Sequence, residues 1–340
     1  ACTIAIYLVV KELYGKSAAF FAATLFGLNP WQLVISRSFL LDAQCLFFSI
    51  LCLYVGILAI RKGSAKFALV TGVVFAAALL TKLYAAFVLI PLLLFYIYSR
   101  PKLNHIPTRL AAFSIPSLML AFLWYQIIRG VSILTIFHHN DLKDVVPAST
   151  GVVTSPFFVT NFLLNYGLGL YFLGAVIFSL FLGFSLKKYF SKTVVFEAIL
   201  LVSIVFVLGV NVILGAGFNL NVPYFSAIKY CYQTLPFFVL LAASLVAKSS
   251  SLFNSAKSKM NPKKLLFYLA ASTAIILLVA SLISSMYYTN ALSTRDYLQY
   301  RVEPQVNYGY AFLNPTPLAV GSSLMVLQYL GYAIVFSGLL

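Results

Sequence analysis

A few charged and imidazole side chains in this mostly apolar sequence could do chemistry: Arg37, Asp42, Lys82, His138, His139, Asp141, Asp144 and Lys229. Lysine and arginine bind phosphate oxygens, carboxylates accept protons or orient cations, and imidazole with carboxylate can bind a divalent metal. Charged residues make up only 9% of the chain. Each one beside an apolar segment therefore needs either a partner or a task.

Asp42 stands at the predicted start of the apolar segment 41–60, five residues after Arg37. An ionised carboxylate near the hydrocarbon edge is unfavourable unless it is paired or faces water. Arg37 is one candidate partner. Two interpretations stay open: a carboxylate favoured by the dipole at a helix N-terminus, and a functional carboxylate in a polar cleft.

Lys82 and Lys229 are candidate ligands for a phosphate group. Thr81 and Lys82 interrupt the apolar run 67–98, which is too long for one span and predicts two short helices that meet at Lys82. Lys229 and Tyr230 begin a later segment, which Pro236 is expected to bend. Each lysine could instead be an ordinary interfacial residue whose ammonium reaches water.

His138, His139 and Asp141 form the densest group of potential metal ligands in the sequence. Imidazole and carboxylate suit a divalent ion such as Mg²⁺, Mn²⁺ or Zn²⁺, but neighbours in one short segment rarely complete a coordination shell. Further ligands would have to come from elsewhere. A polar loop without metal is the alternative.

These residues must be positioned by membrane-spanning helices. The chain is 62% hydrophobic, its mean hydropathy is +0.98, and apolar runs near the length needed to cross a bilayer recur throughout. The sequence predicts an all-α, polytopic transmembrane helical bundle of about eleven spans, with short loop helices on the outer face. The predicted segments are 1–10, 17–35, 41–60, 66–80, 83–98, 109–128, 166–186, 194–214, 225–247, 265–286 and 318–340.

The basic residues are unevenly divided between the two sides of this bundle. Sixteen of the 23 lysines and arginines fall in alternate connections, which the positive-inside rule assigns to the cytoplasm. The candidate residues above then face outward. The net charge of +16 therefore mainly reflects the orientation of the helices in the membrane. No soluble segment is long enough to form a nucleic-acid-binding surface.

The sequence predicts two parts: residues 1–247, a transmembrane module that contains the candidate residues above, and residues 248–340, a cytoplasmic loop followed by C-terminal transmembrane helices with a tyrosine-rich outer loop. Residues 248–264 are predicted to form the solvated loop, which anionic lipid would attract. The tyrosines of 287–317 are either interfacial anchors or a surface for sugar. The opening run is about half a span, so we expect the chain to lack its natural beginning.

Three stretches carry a resemblance to a known family: NPWQLVISRSFLLDAQCLFFSILCLYVG, FALVTGVVFAAALLTKLYAAFVLIPLLL and IKYCYQTLPFFVLLAASLVA, with a His-bearing outer loop before the third. Their order over residues 1–247 is similar to the GT-C glycosyltransferases, especially the protein O-mannosyltransferase and aminoarabinose transferase branch. The resemblance implies a membrane enzyme that moves a hexosyl or pentosyl group from a polyprenyl-phosphate carrier to a protein, lipid or glycan at the outer face.

The resemblance also implies roles for residues. Asp42 matches a carboxylate at a helix start and is the candidate catalytic residue of this sequence, where it would orient the acceptor or a cation. The resemblance therefore extends the catalytic assignment to the module 1–247. Substrate-binding roles fall to Arg37, Lys82, Lys229 and Tyr230, and His138, His139 and Asp141 are the candidate metal ligands. The family's presumed base is an acidic residue in an outer loop upstream of residue 1.

Two other functions remain open, a transporter or flippase of lipid-linked sugars and a noncatalytic membrane subunit. A transporter should show mid-membrane polar residues and paired repeats, and the sequence has few of the former and no evident copy of either half. The expected location is the cell membrane, with membrane lipids as partners. Short loops and the lack of Asn-x-Ser/Thr acceptors favour a prokaryotic plasma membrane over the endoplasmic reticulum.

Overall fold

The computed structural model describes residues 1–29, 32, 41–99, 106–123, 170–217, 231–255 and 262–292. These residues are mostly helical, with no β-strand among them. The prediction of an all-α membrane protein is confirmed. The helices are α1 Cys2–Tyr14, α2 Lys16–Gly27, α3 Leu41–Lys62, α4 Ala65–Thr81, α5 Leu89–Tyr98, α6 Ile106–Phe122, α7 Leu170–Ser185, α8 Lys187–Gly217, α9 Leu235–Ser255 and α10 Pro262–Leu292.

Helix α9 lies at the centre of this bundle. It packs against α1, α2, α7, α8 and α10, and 78% of its apolar stretch is buried, whereas the corresponding value for α10 is 22%. On the other side, α3 packs against α1, α4 and α5, and α6 packs against α4. The small residues of α2, Ala18, Ala19, Ala22 and Ala23, are buried, which allows neighbouring helices to approach closely.

Four of the described helical stretches are long and apolar enough to cross a membrane: Asp42–Lys62, Phe190–Val210, Tyr232–Leu252 and Leu265–Leu282. Shorter apolar helices accompany them, and many large apolar side chains on the outer surface are exposed, as expected for contact with lipid. The predicted number of eleven spans is not confirmed, and segment 318–340 lies outside the described residues.

The long apolar run 67–98 divides where the sequence predicted. Helix α4 ends at Thr81, Lys82 is extended, and a 3₁₀ helix at Leu83–Val88 leads into α5. Because α3 and α4 are joined by a tight turn at Gly63 and pack antiparallel, the start of α3 lies beside the end of α4. This topology brings Asp42 and Lys82 together.

The loop predicted at 248–264 begins later than expected. Helix α9 continues to Ser255, and Lys248 is only 1% exposed. The expectation that Lys248 lies in a solvated loop is therefore wrong. Lys248 can be buried because its ammonium forms an ion pair with a buried carboxylate, that of Glu197.

Candidate functional site

Asp42, Lys82 and Tyr84 form a compact group, the Asp42 cluster. The Lys82 ammonium donates a hydrogen bond of 2.7 Å to Asp42 Oδ2, and the Tyr84 hydroxyl donates to Asp42 Oδ1. The same ammonium lies 5.4 Å from the centre of the Tyr84 ring. Both oxygens of the carboxylate are thus occupied by donors from one short segment.

Local backbone structure explains how these three residues meet. Asp42 is in the first turn of α3, where a negative charge is favoured by the helix dipole. Thr81 donates its hydroxyl to the carbonyl of Ala78, and Lys82 then adopts an extended conformation that ends α4. The following 3₁₀ helix places Tyr84 on the same side as Lys82.

The two charged residues of the cluster differ in their exposure to solvent. Asp42 is fully buried, so its charge depends on the two donors. The side chain of Lys82 is 23% exposed, and an ammonium carries three donors. The cluster can therefore offer a firmly positioned cation to an anionic ligand, while the carboxylate orients that cation.

Buried amide and hydroxyl groups near the Asp42 cluster form a polar layer that extends across the bundle. The Gln233 amide donates to Cys45 Sγ at 3.7 Å, one turn along α3 from Asp42. The Tyr232 hydroxyl donates to Gln32 Oε1, and the backbone N–H of Gln32 donates to Asn29 Oδ1 at 3.1 Å. This layer joins residues near the end of α2, the start of α3 and the entry to α9.

The structure brings together two of the predicted site residues, Asp42 and Lys82. The others, Arg37, Lys229, Tyr230, His138, His139 and Asp141, lie outside the described residues. Within the described ranges, no group of three or more His, Cys, Asp or Glu residues could hold a metal ion. The roles assigned to all these residues stay predictions.

Sequence reasoning missed Tyr84, Gln32, Tyr232 and Gln233. Tyr84 follows Lys82 by two residues, and a polar side chain beside a predicted helix break was an available signal. The two glutamines stand near candidate residues in sequence, but neither type nor spacing indicated that they would be buried. Pro236 was expected to bend a helix, and the backbone changes there from 3₁₀ to α-helix at Leu235.

A second polar group, which the sequence analysis did not identify, lies deeper in the bundle. Lys248 donates to Glu197 Oε1 and to the carbonyl and hydroxyl oxygens of Ser179, the last at 3.3 Å. Ser244 also donates to Glu197 Oε1. Glu197 Oε2 and the Tyr14 hydroxyl are buried and have no hydrogen-bond partner among the described residues.

The comparison with protein families concerns the part of the chain that contains the Asp42 cluster. Residues 1–125 match the family described as dolichyl-phosphate-mannose-protein mannosyltransferase. This match confirms the predicted GT-C resemblance for those residues. The resemblance predicted for 126–247 lies beyond it. No curated protein and no solved structure matches the chain.

Proposed function

We propose that this chain is part of an integral membrane mannosyltransferase that takes its sugar from a polyprenyl-phosphate carrier. The observation that carries the proposal is the Asp42–Lys82 pair, which lies within the matched residues and holds a partly exposed ammonium in place. The family match supports the hexose mannose over a pentose. The acceptor is a hydroxyl of a protein, lipid or glycan.

The proposed role of Lys82 follows from the charge changes of the reaction. As the acceptor oxygen attacks the anomeric carbon, the bond from that carbon to the carrier's phosphate oxygen breaks. The phosphate leaves with the electron pair, so negative charge develops on its oxygen. A preorganised ammonium stabilises that charge, and its orientation needs no adjustment during the reaction.

Asp42 acts in this proposal by positioning Lys82. Its two oxygens already accept hydrogen bonds from Lys82 and Tyr84, and the side chain is fully buried. A carboxylate in this state is poorly placed to take the proton of an acceptor hydroxyl. That proton goes to a different base, and Arg37, Lys229 and Tyr230 are proposed to contact the carrier or the acceptor.

The expected face of the membrane follows from the charge distribution. Lys82 and Asp42 lie at the end of α3 opposite Arg61 and Lys62, which belong to the basic set that the positive-inside rule assigns to the cytoplasm. Transfer is therefore proposed at the outer face of a cell membrane. A divalent ion held by His138, His139 and Asp141 stays a proposal without support from the described residues.

The test measures binding of undecaprenyl phosphate and transfer of radiolabelled mannose from its carrier by the full-length protein in nanodiscs. Lys82→Gln should weaken carrier binding about 10- to 100-fold, because a hydrogen bond to a charged group contributes about 1.5–3 kcal/mol. Lys66→Gln removes an exposed cation at the opposite end of the bundle and is the matched control. Equal binding by both variants would refute the role of Lys82.

A double variant separates binding from folding. Lys82→Gln leaves the buried Asp42 carboxylate with one donor, so it could also lower stability. Adding Asp42→Asn removes the unpaired charge and should restore stability without restoring transfer. Restored transfer in the double variant would show that the pair is only structural. Movement of the carrier across the bilayer without any transfer would favour a transporter instead.

A further inference from the structure

An apolar groove lies between α5 and α6, at the opposite end of the bundle from the Asp42 cluster. Its volume is about 250 Å³, and α3 and α4 form its floor. Residues that line it include Gly56, Ala59, Ala68, Leu92, Leu93 and Leu110. Since α5 packs on α3 and α6 packs on α4, the space between α5 and α6 stays open toward the membrane.

Small residues keep the floor of this groove recessed. Gly56 allows Leu92 of α5 to pack directly against α3, because a Cβ at position 56 would lie 2.5 Å from Leu92 Cδ2. Ala59 and Ala68 add only methyl groups. At the rim, Leu93 and Leu110 are 59% and 51% exposed, so an apolar chain lying in the groove would contact leucine on both sides.

Two polar groups in the groove have no partner in the part of the chain that the structure describes. The Tyr96 hydroxyl is buried and makes no hydrogen bond there. Arg109 is half-buried in the first turn of α6, beside Gly63, and forms no ion pair or hydrogen bond with the described residues. A buried hydroxyl and a half-buried guanidinium without partners together suit an oxygen-rich anion.

We propose that this groove binds an anionic glycerophospholipid of the cytoplasmic leaflet. One acyl chain lies over the floor of the groove, Arg109 binds the phosphate, and Tyr96 donates its hydroxyl to a lipid oxygen. The charge around the groove fits this occupant. Arg61, Lys62 and Lys66 lie at the same end of the bundle, and a cluster of basic residues there attracts anionic head groups.

The groove is separate from the proposed site of sugar transfer. Asp42 and Lys62 are at the two ends of α3, about 30 Å apart at 1.5 Å per residue. From Leu89 to Tyr96 the groove runs about 10 Å along α5, which accommodates part of one acyl chain. A carrier whose phosphate reaches Lys82 cannot place that phosphate at Arg109. The two sites can therefore be tested independently.

The experiment measures phosphatidylglycerol binding to the delipidated full-length protein by native mass spectrometry, with phosphatidylcholine as the uncharged comparison. Arg109→Gln should weaken phosphatidylglycerol binding at least tenfold, and Tyr96→Phe should weaken it several-fold. Lys16→Gln, which removes an exposed cation at the start of α2 and outside the groove, should change it less than twofold. Ala68→Leu, which fills the floor, should weaken both lipids.

Several results would overturn the proposal. Equal affinity for the two lipids would remove the role of the phosphate, and unchanged binding in Arg109→Gln would remove the site. If undecaprenyl phosphate competes at this position with the same dependence on Arg109, the groove is a carrier site instead. Should Ala68→Leu fail to fold, the Arg109 and Tyr96 variants decide the question, because neither residue is part of the apolar core.

Discussion

Loss of the Lys248 ammonium should destabilise the protein strongly. Lys248 and Glu197 are each 1% exposed, and the ammonium donates to Glu197 and Ser179. Lys248→Met leaves the carboxylate with serine hydroxyl donors on Oε1 and no donor on Oε2 among the described residues. Removing one member of a buried pair costs about 3–5 kcal/mol, because the remaining charge is uncompensated.

A double-mutant cycle isolates the interaction from the loss of packing. Glu197→Gln with Lys248→Met removes both charges while keeping similar volumes, so most of the stability should return. The coupling energy should be at least about 2 kcal/mol. The measurement is equilibrium unfolding of the full-length protein in mixed micelles of increasing SDS fraction, followed by circular dichroism.

An exposed ion pair in the same protein supplies the control. Arg61 donates to Glu12 at 2.9 Å, and their side chains are 35% and 33% exposed. Arg61→Gln should cost no more than about 1 kcal/mol, since solvent screens such pairs. If Lys248→Met costs no more than Arg61→Gln, the reasoning about an uncompensated charge in a low-dielectric interior is wrong.

Two further predictions concern packing and the Asp42 cluster. Gly72→Ala should destabilise the protein by about 1–3 kcal/mol, because its Cβ would meet the carbonyl oxygen of Phe113 and lie 2.8 Å from Pro116 Cγ. The control is Gly209→Ala, whose Cβ meets no described atom within 4 Å and which should change stability by at most about 1 kcal/mol. Equal shifts of the melting temperature in the Gly72 and Gly209 variants would contradict the close approach of α4 and α6. Tyr84→Phe should lower unfolding free energy by about 1–3 kcal/mol by removing a donor to the buried Asp42, and an unchanged midpoint would show that this hydrogen bond is not formed.

The helices could be predicted because membrane thickness fixes the length of an apolar run. The segment predicted at 41–60 is α3, Leu41–Lys62, and the one at 66–80 is α4, Ala65–Thr81. The helix break at Lys82 followed from the same length argument. The end of α9 could not be found in this way, because Lys248 was read as a charge that must lie in water.

The partner of Asp42 was harder to predict than the position of Asp42. Arg37, five residues away, was the nearest candidate in sequence, and the structure pairs the carboxylate with Lys82, 40 residues away. Periodicity and length identify helices, but they do not specify which helix ends are neighbours. Arg37 lies outside the described residues, so its own contacts stay a prediction.

Sequence reasoning missed Glu197 because the hydropathy averaged over a long apolar segment stays high when the segment contains one charged residue. Within Phe190–Val210, an 18-residue window that includes Glu197 has a mean hydropathy of 2.6. A buried carboxylate in a membrane helix implies a cationic partner on a neighbouring helix. Applied to Glu197, that rule would have directed attention to the lysines near the same end of the bundle, of which Lys248 is one.

The burial of Lys248 changes the polar interior of the bundle, but it does not change the predicted orientation of the protein in the membrane. Lys248 was counted among the sixteen basic residues of one side, and removing it leaves fifteen against seven, so the asymmetry that predicts orientation persists. The charge difference between the two sides is a sum over many residues, so the burial of one lysine changes it little. The proposed role of Lys82, by contrast, depends on the single carboxylate of Asp42, which forms an ion pair with it.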